Sequence, residues 1–216
     1  WSDIGGTRIE IAPDTLGCRD RSWGVRGGSG LPGPATVPQF HWLWVPTILD
    51  DLCAHVAVNE DGDGRAWHRS GAIAGRLDAP SVDEALDDSR VRRTTRSEVD
   101  LVWSPGTRWM SSATVRHEQW RDDEIEITYE PVLRFQMSGI GYLHPEWGHG
   151  SWHGELAETR DSIDLASVDP ADPTMVHIQQ VCRATSGERS GVGVFEQLVI
   201  GPHAPSGFTG LTDGAA

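Results

Sequence analysis

The chain has 216 residues, 38% of them hydrophobic and 23% charged, enough to bury a core in one large all-β domain or one domain plus part of another. Its formal net charge of -14, with no lysine among its 18 basic residues, argues against nucleic acid and against an anionic membrane surface. The lack of lysine also excludes Schiff-base catalysis and lysine-type phosphate-loop chemistry.

The pattern reads as strands almost throughout. Thr7 to Ile11 alternates, and Gly17 to Arg26 packs three arginines, an aspartate and a tryptophan between glycines. As a strand, this run places Asp20, Ser22 and Gly24 on one face and Arg19, Arg21, Trp23 and Val25 on the other. The Gly/Pro-rich stretch Gly27 to Pro38 reads as a linker. Phe40 to Val45 is aromatic and apolar, with His41 and Leu43 on one face and Trp42 and Trp44 on the other. Cys53 to Val58 and Ala66 to Ala74 flank the turn signal Asn59 to Gly64 and read as a hairpin. Ser81 to Arg93 is the one candidate helix, with Ser81 as its N-cap.

Glu98 to Trp103 and Trp109 to His117 bracket the turn Ser104-Pro105-Gly106. Glu124 to Tyr129 alternates, placing Ile125, Ile127 and Tyr129 on one side. Met175 to Ala184 and Gly191 to Ile200 form the last hairpin around Ser186 to Arg189. Gly139, Gly141, Gly191 and Gly193 read as strand curvature or bulges. Many short strands with turns between them predict an all-β fold, an antiparallel β-barrel or sandwich.

Cys18, Cys53 and Cys182 are an odd set with no paired spacing, so neither a disulfide framework nor a cysteine-rich zinc site is expected, and a reducing, cytoplasmic compartment fits. No apolar run reaches the ~18–20 residues of a membrane span.

The run Gly17 to Arg26 resembles the Arg-Asp-x-Ser-Trp-Gly-x-Arg signature of a two-domain lipocalin-like family. That family includes the AttH-like proteins, the bacterial carotenoid hydratases (hydroxyneurosporene synthases), yeast survival-factor proteins and some fungal Diels–Alderases. The segments Gly139 to Gly150 and Gly191 to Gln197 are similar to the second domain of an actinobacterial and proteobacterial branch. The resemblance implies a lipocalin-like barrel over residues 38–203, preceded in 1–37 by the end strands of a second, truncated barrel and the linker; the Gly/Ala/Pro-rich residues 204–216 read as a flexible tail. The missing N-terminal barrel of the same protein is then an expected partner. Arg19, Asp20, Arg21 and Trp23 are expected to clasp the two β units together, because arginines beside Asp20 favour its charged form and make it a poor proton donor.

Three groups of residues are candidates for chemistry. His144, Glu146, His149, His153 and Glu155 form the richest polar cluster; their spacing, broken by Pro145, Gly148 and Gly150, is not that of a helical zinc motif, and with Trp147 they would contact a ligand at a cavity mouth. Glu196 shares its strand face with valines and a leucine, where its pKa would rise, and the last hairpin would let His177 or Gln179 approach it. His41, Trp42 and Trp44 would wall a cavity, the tryptophans stabilising developing positive charge.

The reading is therefore a protein that binds a hydrophobic small molecule of terpenoid, steroid or fatty-acyl type in an aromatic-lined barrel cavity. The enzymatic alternative is cofactor-free hydration, isomerisation or cyclisation of a polyene-like substrate, with Glu196, Glu146 and His144 catalytic. A third possibility is a structural domain without ligand. No cofactor and no metal ion is expected.

Overall fold

The computed structural model describes residues 1–13, 15–18, 39–78, 81–120, 124–137, 146–147, 151–159 and 162–216. Two short strands, β1 (Ser2–Ile4) and β2 (Thr7–Ile9), form a separate hairpin. Its two-residue turn is Gly5-Gly6, both with positive φ (60° and 81°), the geometry that matches the twist of the flanking strands.

The remaining strands make one antiparallel sheet. They are β3 (Phe40–Leu49), β4 (Leu52–Glu60), β5 (Ala66–Gly75), β6 (Arg92–Arg93), β7 (Arg96–Trp103), β8 (Met110–Glu118), β9 (Ile125–Gln136), β10 (His177–Ser186) and β11 (Arg189–Ile200). The spatial order is β6-β5-β4-β3-β11-β10-β9-β8-β7. Every neighbour pair is consecutive in the chain except β3–β11, which joins the two halves. The fold is all-β and barrel-like, as the alternation predicts. The two ends of the sheet approach at Gly71, whose carbonyl accepts the Thr94 N–H at 3.0 Å. A Cβ on Gly71 would lie 2.2 Å from Ser97 Oγ, so only glycine lets the edges come this close.

The predicted helix is shorter than its sequence window. α1 spans Val82–Leu86 and opens with a capping box between Ser81 and Glu84. A single 3-10 turn over Asp88–Arg90 follows, and Val91 is already extended.

One face of the alternating strands forms the inside of the sheet. Leu43, Val45, Leu49, Val56, Val58, Ile73, Met110, Val115, Ile127, Tyr129 and Phe195 are all buried in one cluster. Tyr129 and Phe195 meet edge to face at 5.6 Å, and the Tyr129 hydroxyl pairs with Thr47 Oγ1 at 2.7 Å. A Cβ on Gly193 would come within 2.8 Å of Tyr129 Cε1, so this glycine makes room for a ring. The one irregularity near it is on the other side of β10, where the β9 register shifts between Val181 and Cys182.

Residues 204–216, expected as a flexible tail, are tied to the barrel end. Phe208 is 2% exposed, Ala215 exchanges backbone hydrogen bonds with Gly106 and Thr107, and Arg108 reaches into the segment. Local sequence cannot show this, because the anchor, Arg108, lies about 100 residues upstream.

Candidate functional site

Two places on the described surface combine a cavity with chemically distinctive side chains. The first is the outer face of β3, β4, β5, β10 and β11. Pro46, Ile48, Cys53, His55, Ala72, Ala74, Val181, Val192 and Val194 line a cavity of about 680 Å³, and Leu16, Gly17 and Cys18 also border it. Burial pushes both the Cys53 thiol up and the His55 imidazole down in pKa, which keeps each neutral.

Two residues beyond Val194 on the same strand face stands Glu196. Its Oε1 accepts Trp42 Nε1–H at 3.0 Å and lies 3.1 Å from His177 Nε2; its Oε2 accepts Gln179 Nε2–H at 2.7 Å. The β10–β11 register places Gln179 opposite Glu196, and β3–β11 pairing places Trp44 opposite it on the other side. The expectation that an apolar face raises the Glu196 pKa is corrected here. Burial does push the carboxyl up, but the donors His177, Gln179 and Trp42 outweigh it and hold the pKa below the ordinary glutamate value. At neutral pH Glu196 is a carboxylate, an acceptor and not an acid.

Trp42 and Trp44 face outward and are half-buried. Trp44 packs edge-on against His55 at 5.8 Å, which links the apolar cavity to the Glu196 cluster. All the described tryptophans are half-buried or exposed, so the interior expected to be tryptophan-walled is filled instead by aliphatic side chains, Tyr129 and Phe195.

The second place is the barrel end where β3 begins and β11 finishes. His41 and Glu60 are direct cross-strand partners. His203, just beyond β11, stacks on His41 with ring centroids 4.1 Å apart. Its Nε2 lies 3.1 Å from Glu60 Oε2, and its Nδ1 lies 2.8 Å from Ser206 Oγ. Arg69 donates to the other Glu60 oxygen at 2.9 Å. His41 Nδ1 stands 4.0 Å from Glu60 Oε2, is buried, and makes no hydrogen bond. Burial, and secondarily the charge of His203, lower the His41 pKa to about 4. A cavity of about 340 Å³ opens beside the group, lined also by Val99, Leu101 and Trp103.

Of the residues singled out by sequence, the structure thus brings together Trp42, His177, Gln179 and Glu196, and places His41 in a different group. Glu146 is exposed, with its carbonyl 3.0 Å from His153 Nε2, and Trp147 stacks on His153 at 4.0 Å. His144 and His149 lie outside the described residues, as do Arg19, Asp20, Arg21 and Trp23. Sequence reasoning missed Glu60 and His203. Glu60 sits inside the turn signal Asn59 to Gly64, and His203 starts the segment read as a tail; no local spacing connects either to His41.

A family profile covers residues 1–209. The chain belongs to the family of unknown function DUF8625. No curated protein and no solved structure matches it. Membership in DUF8625 therefore brings no activity with it. Among the described residues no helix is long and apolar enough to cross a membrane.

Proposed function

We propose that this DUF8625 protein binds a hydrophobic small molecule against the outer face of its sheet. The observation that supports this most directly is the cavity of about 680 Å³ with its aliphatic lining, Pro46, Ile48, Val181, Val192 and Val194. Its size falls within the range of roughly 300–1,000 Å³ that holds single small ligands. A contiguous exposed apolar surface of this kind is uncommon unless something covers it.

The charge pattern narrows the ligand. The ionised Glu196 lies on the same strand face, and the chain carries a net charge of -14. An anionic head group would be repelled, so a neutral terpenoid or steroid fits better than a fatty acid. This ligand class agrees with the lipocalin-like resemblance of Gly17 to Arg26, although the site lies outside the barrel wall and not within it.

The test is titration of the purified chain with a fluorescent neutral sterol and, separately, with a fluorescent fatty acid. The expected result is saturable sterol binding that slows alkylation of Cys53, and at least tenfold weaker binding by Val194→Asp. Sterol binding unchanged in Val194→Asp, with Cys53 still freely alkylated, would overturn the site. A preference for the fatty acid would overturn the charge argument.

A further inference from the structure

We propose that His41, Glu60 and His203 bind one divalent transition-metal ion of the zinc class at the open end of the barrel. This inference is independent of the outer-face cavity and rests on different residues.

The three side chains come from separate parts of the chain, and each contributes one ligand atom within 4.8 Å of the others. Ligands around a single zinc ion at about 2.0–2.2 Å stand roughly 3–4 Å apart. The Glu60 Oε2 separations, 3.1 Å to His203 Nε2 and 4.0 Å to His41 Nδ1, already lie in that range.

A second observation points to a ligand. His41 is 3% exposed, and its Nδ1 makes no hydrogen bond although it is turned toward Glu60. A buried imidazole nitrogen without a partner is costly unless something else occupies its lone pair. A metal ion shared with Glu60 and His203 would do so.

The surroundings fit the same role. Ser206 holds His203 Nδ1 and leaves Nε2 for the ion, while Arg69 holds the Glu60 oxygen that points away from it. Such outer partners fix the tautomer and orientation of metal ligands. Two imidazoles and one carboxylate suit zinc or its neighbours in the transition series better than calcium or magnesium, which prefer oxygen alone. Three protein ligands beside a cavity of about 340 Å³ leave a coordination position for water or a small ligand, the arrangement of reactive and not purely structural zinc sites.

The experiment uses the whole chain, stripped with a chelator and titrated with Zn²⁺ by calorimetry and with Co²⁺ by visible absorption. One ion per chain is expected, with the Co²⁺ spectrum of a four- or five-coordinate site. Glu60→Gln and His203→Asn should each weaken Zn²⁺ binding at least 100-fold, while the exposed control His153→Asn leaves it unchanged. No stoichiometric Zn²⁺ uptake by the wild-type chain would overturn the proposal, and so would full affinity in both ligand variants. Should those variants fail to fold, paramagnetic shifts in the Co²⁺-loaded wild-type protein decide. Shifted ring signals from His41 and His203 support the site, and their absence overturns it.

Discussion

The Arg108 guanidinium, 2% exposed, donates to Asp213 Oδ1 at 2.5 Å across 105 residues of sequence. The same side chain donates to the carbonyls of Gly201, Gly210 and Asp213, and sits 4.2 Å over the Phe208 ring. Arg108→Ala should therefore cost about 3 kcal/mol, because it strands several carbonyls and a carboxylate at once. Urea unfolding measures it; a loss under about 1 kcal/mol would show that the C-terminal segment is held by other contacts.

Asp213 gives this anchor an acid limit. Burial raises its pKa, but the N–H groups of Thr209 and Gly210 and the Arg108 guanidinium lower it further, to about 2. Because the folded value lies below the unfolded one, the stabilisation is complete above about pH 4 and disappears as pH falls toward 2. Asp213→Asn should flatten the stability profile in that window and leave its shape near neutrality unchanged. An identical acid profile in the variant would show that Asp213 does not carry the effect.

His117 makes a second, higher window. Burial first, and the charge of His55 second, lower its pKa from 6.5 to about 4, and its Nδ1 lies 2.9 Å from Ser97 Oγ. The unfolded chain binds the extra proton between those values, so stability falls as pH drops from about 6.5 to 4, by up to about 1.4 kcal/mol per pH unit for this group. His41 titrates in the same direction over the same range. His117→Gln should thus lower the slope of unfolding free energy against pH in this window, where His41 and His55 also contribute. A slope equal to wild type would mean that His117 is not held neutral by the fold.

The ionised state of Glu196 has its own test. A protonated glutamic acid and a glutamine are nearly isosteric, so Glu196→Gln would be almost silent if the group were an acid. With Trp42, Gln179 and His177 arranged around a carboxylate, the variant should instead lose about 1–2 kcal/mol in chemical denaturation. A change below about 0.3 kcal/mol would restore the proton-donor reading.

Gly193→Ala probes the tightest part of the core. The added methyl would stand 2.8 Å from Tyr129 Cε1 and 3.2 Å from Thr47 Oγ1, and overpacking of this kind costs about 1–3 kcal/mol. Tyr129→Leu in the same chain should recover part of that loss. If the double variant is no better than the sum of the two single changes, the clash is not with the ring.

Strand content and face alternation were legible because each depends on neighbours in sequence. His41 and Leu43 against Trp42 and Trp44, and Ile127 and Tyr129 on one side, follow from a period of two. Alternation says that two faces differ, but not which one is inside. The tryptophans of β3, expected to wall a cavity, face outward, because aliphatic side chains, Tyr129 and Phe195 already fill the interior. The approach of His177 and Gln179 to Glu196 was readable because a short turn joins β10 and β11. The His41–Glu60–His203 group was not, because it requires β3 to lie beside β11, a pairing no local pattern encodes. The ionised state of Glu196 was missed for a similar reason: one of its three donors, Trp42, comes from that same distant strand.

The β3–β11 pairing also shapes how the molecule is made. One side of β3 is satisfied by β4, an immediate neighbour in sequence, and the other only by a strand that ends at Ile200. During synthesis the β3–β4 hairpin emerges with an unpaired edge, and more than a hundred further residues must follow before its partner exists. Sheets that depend on such distant pairing fold slowly. The open edge of β3 therefore waits while the residues between Glu60 and Arg189 are made, and is exposed to wrong pairing throughout that interval.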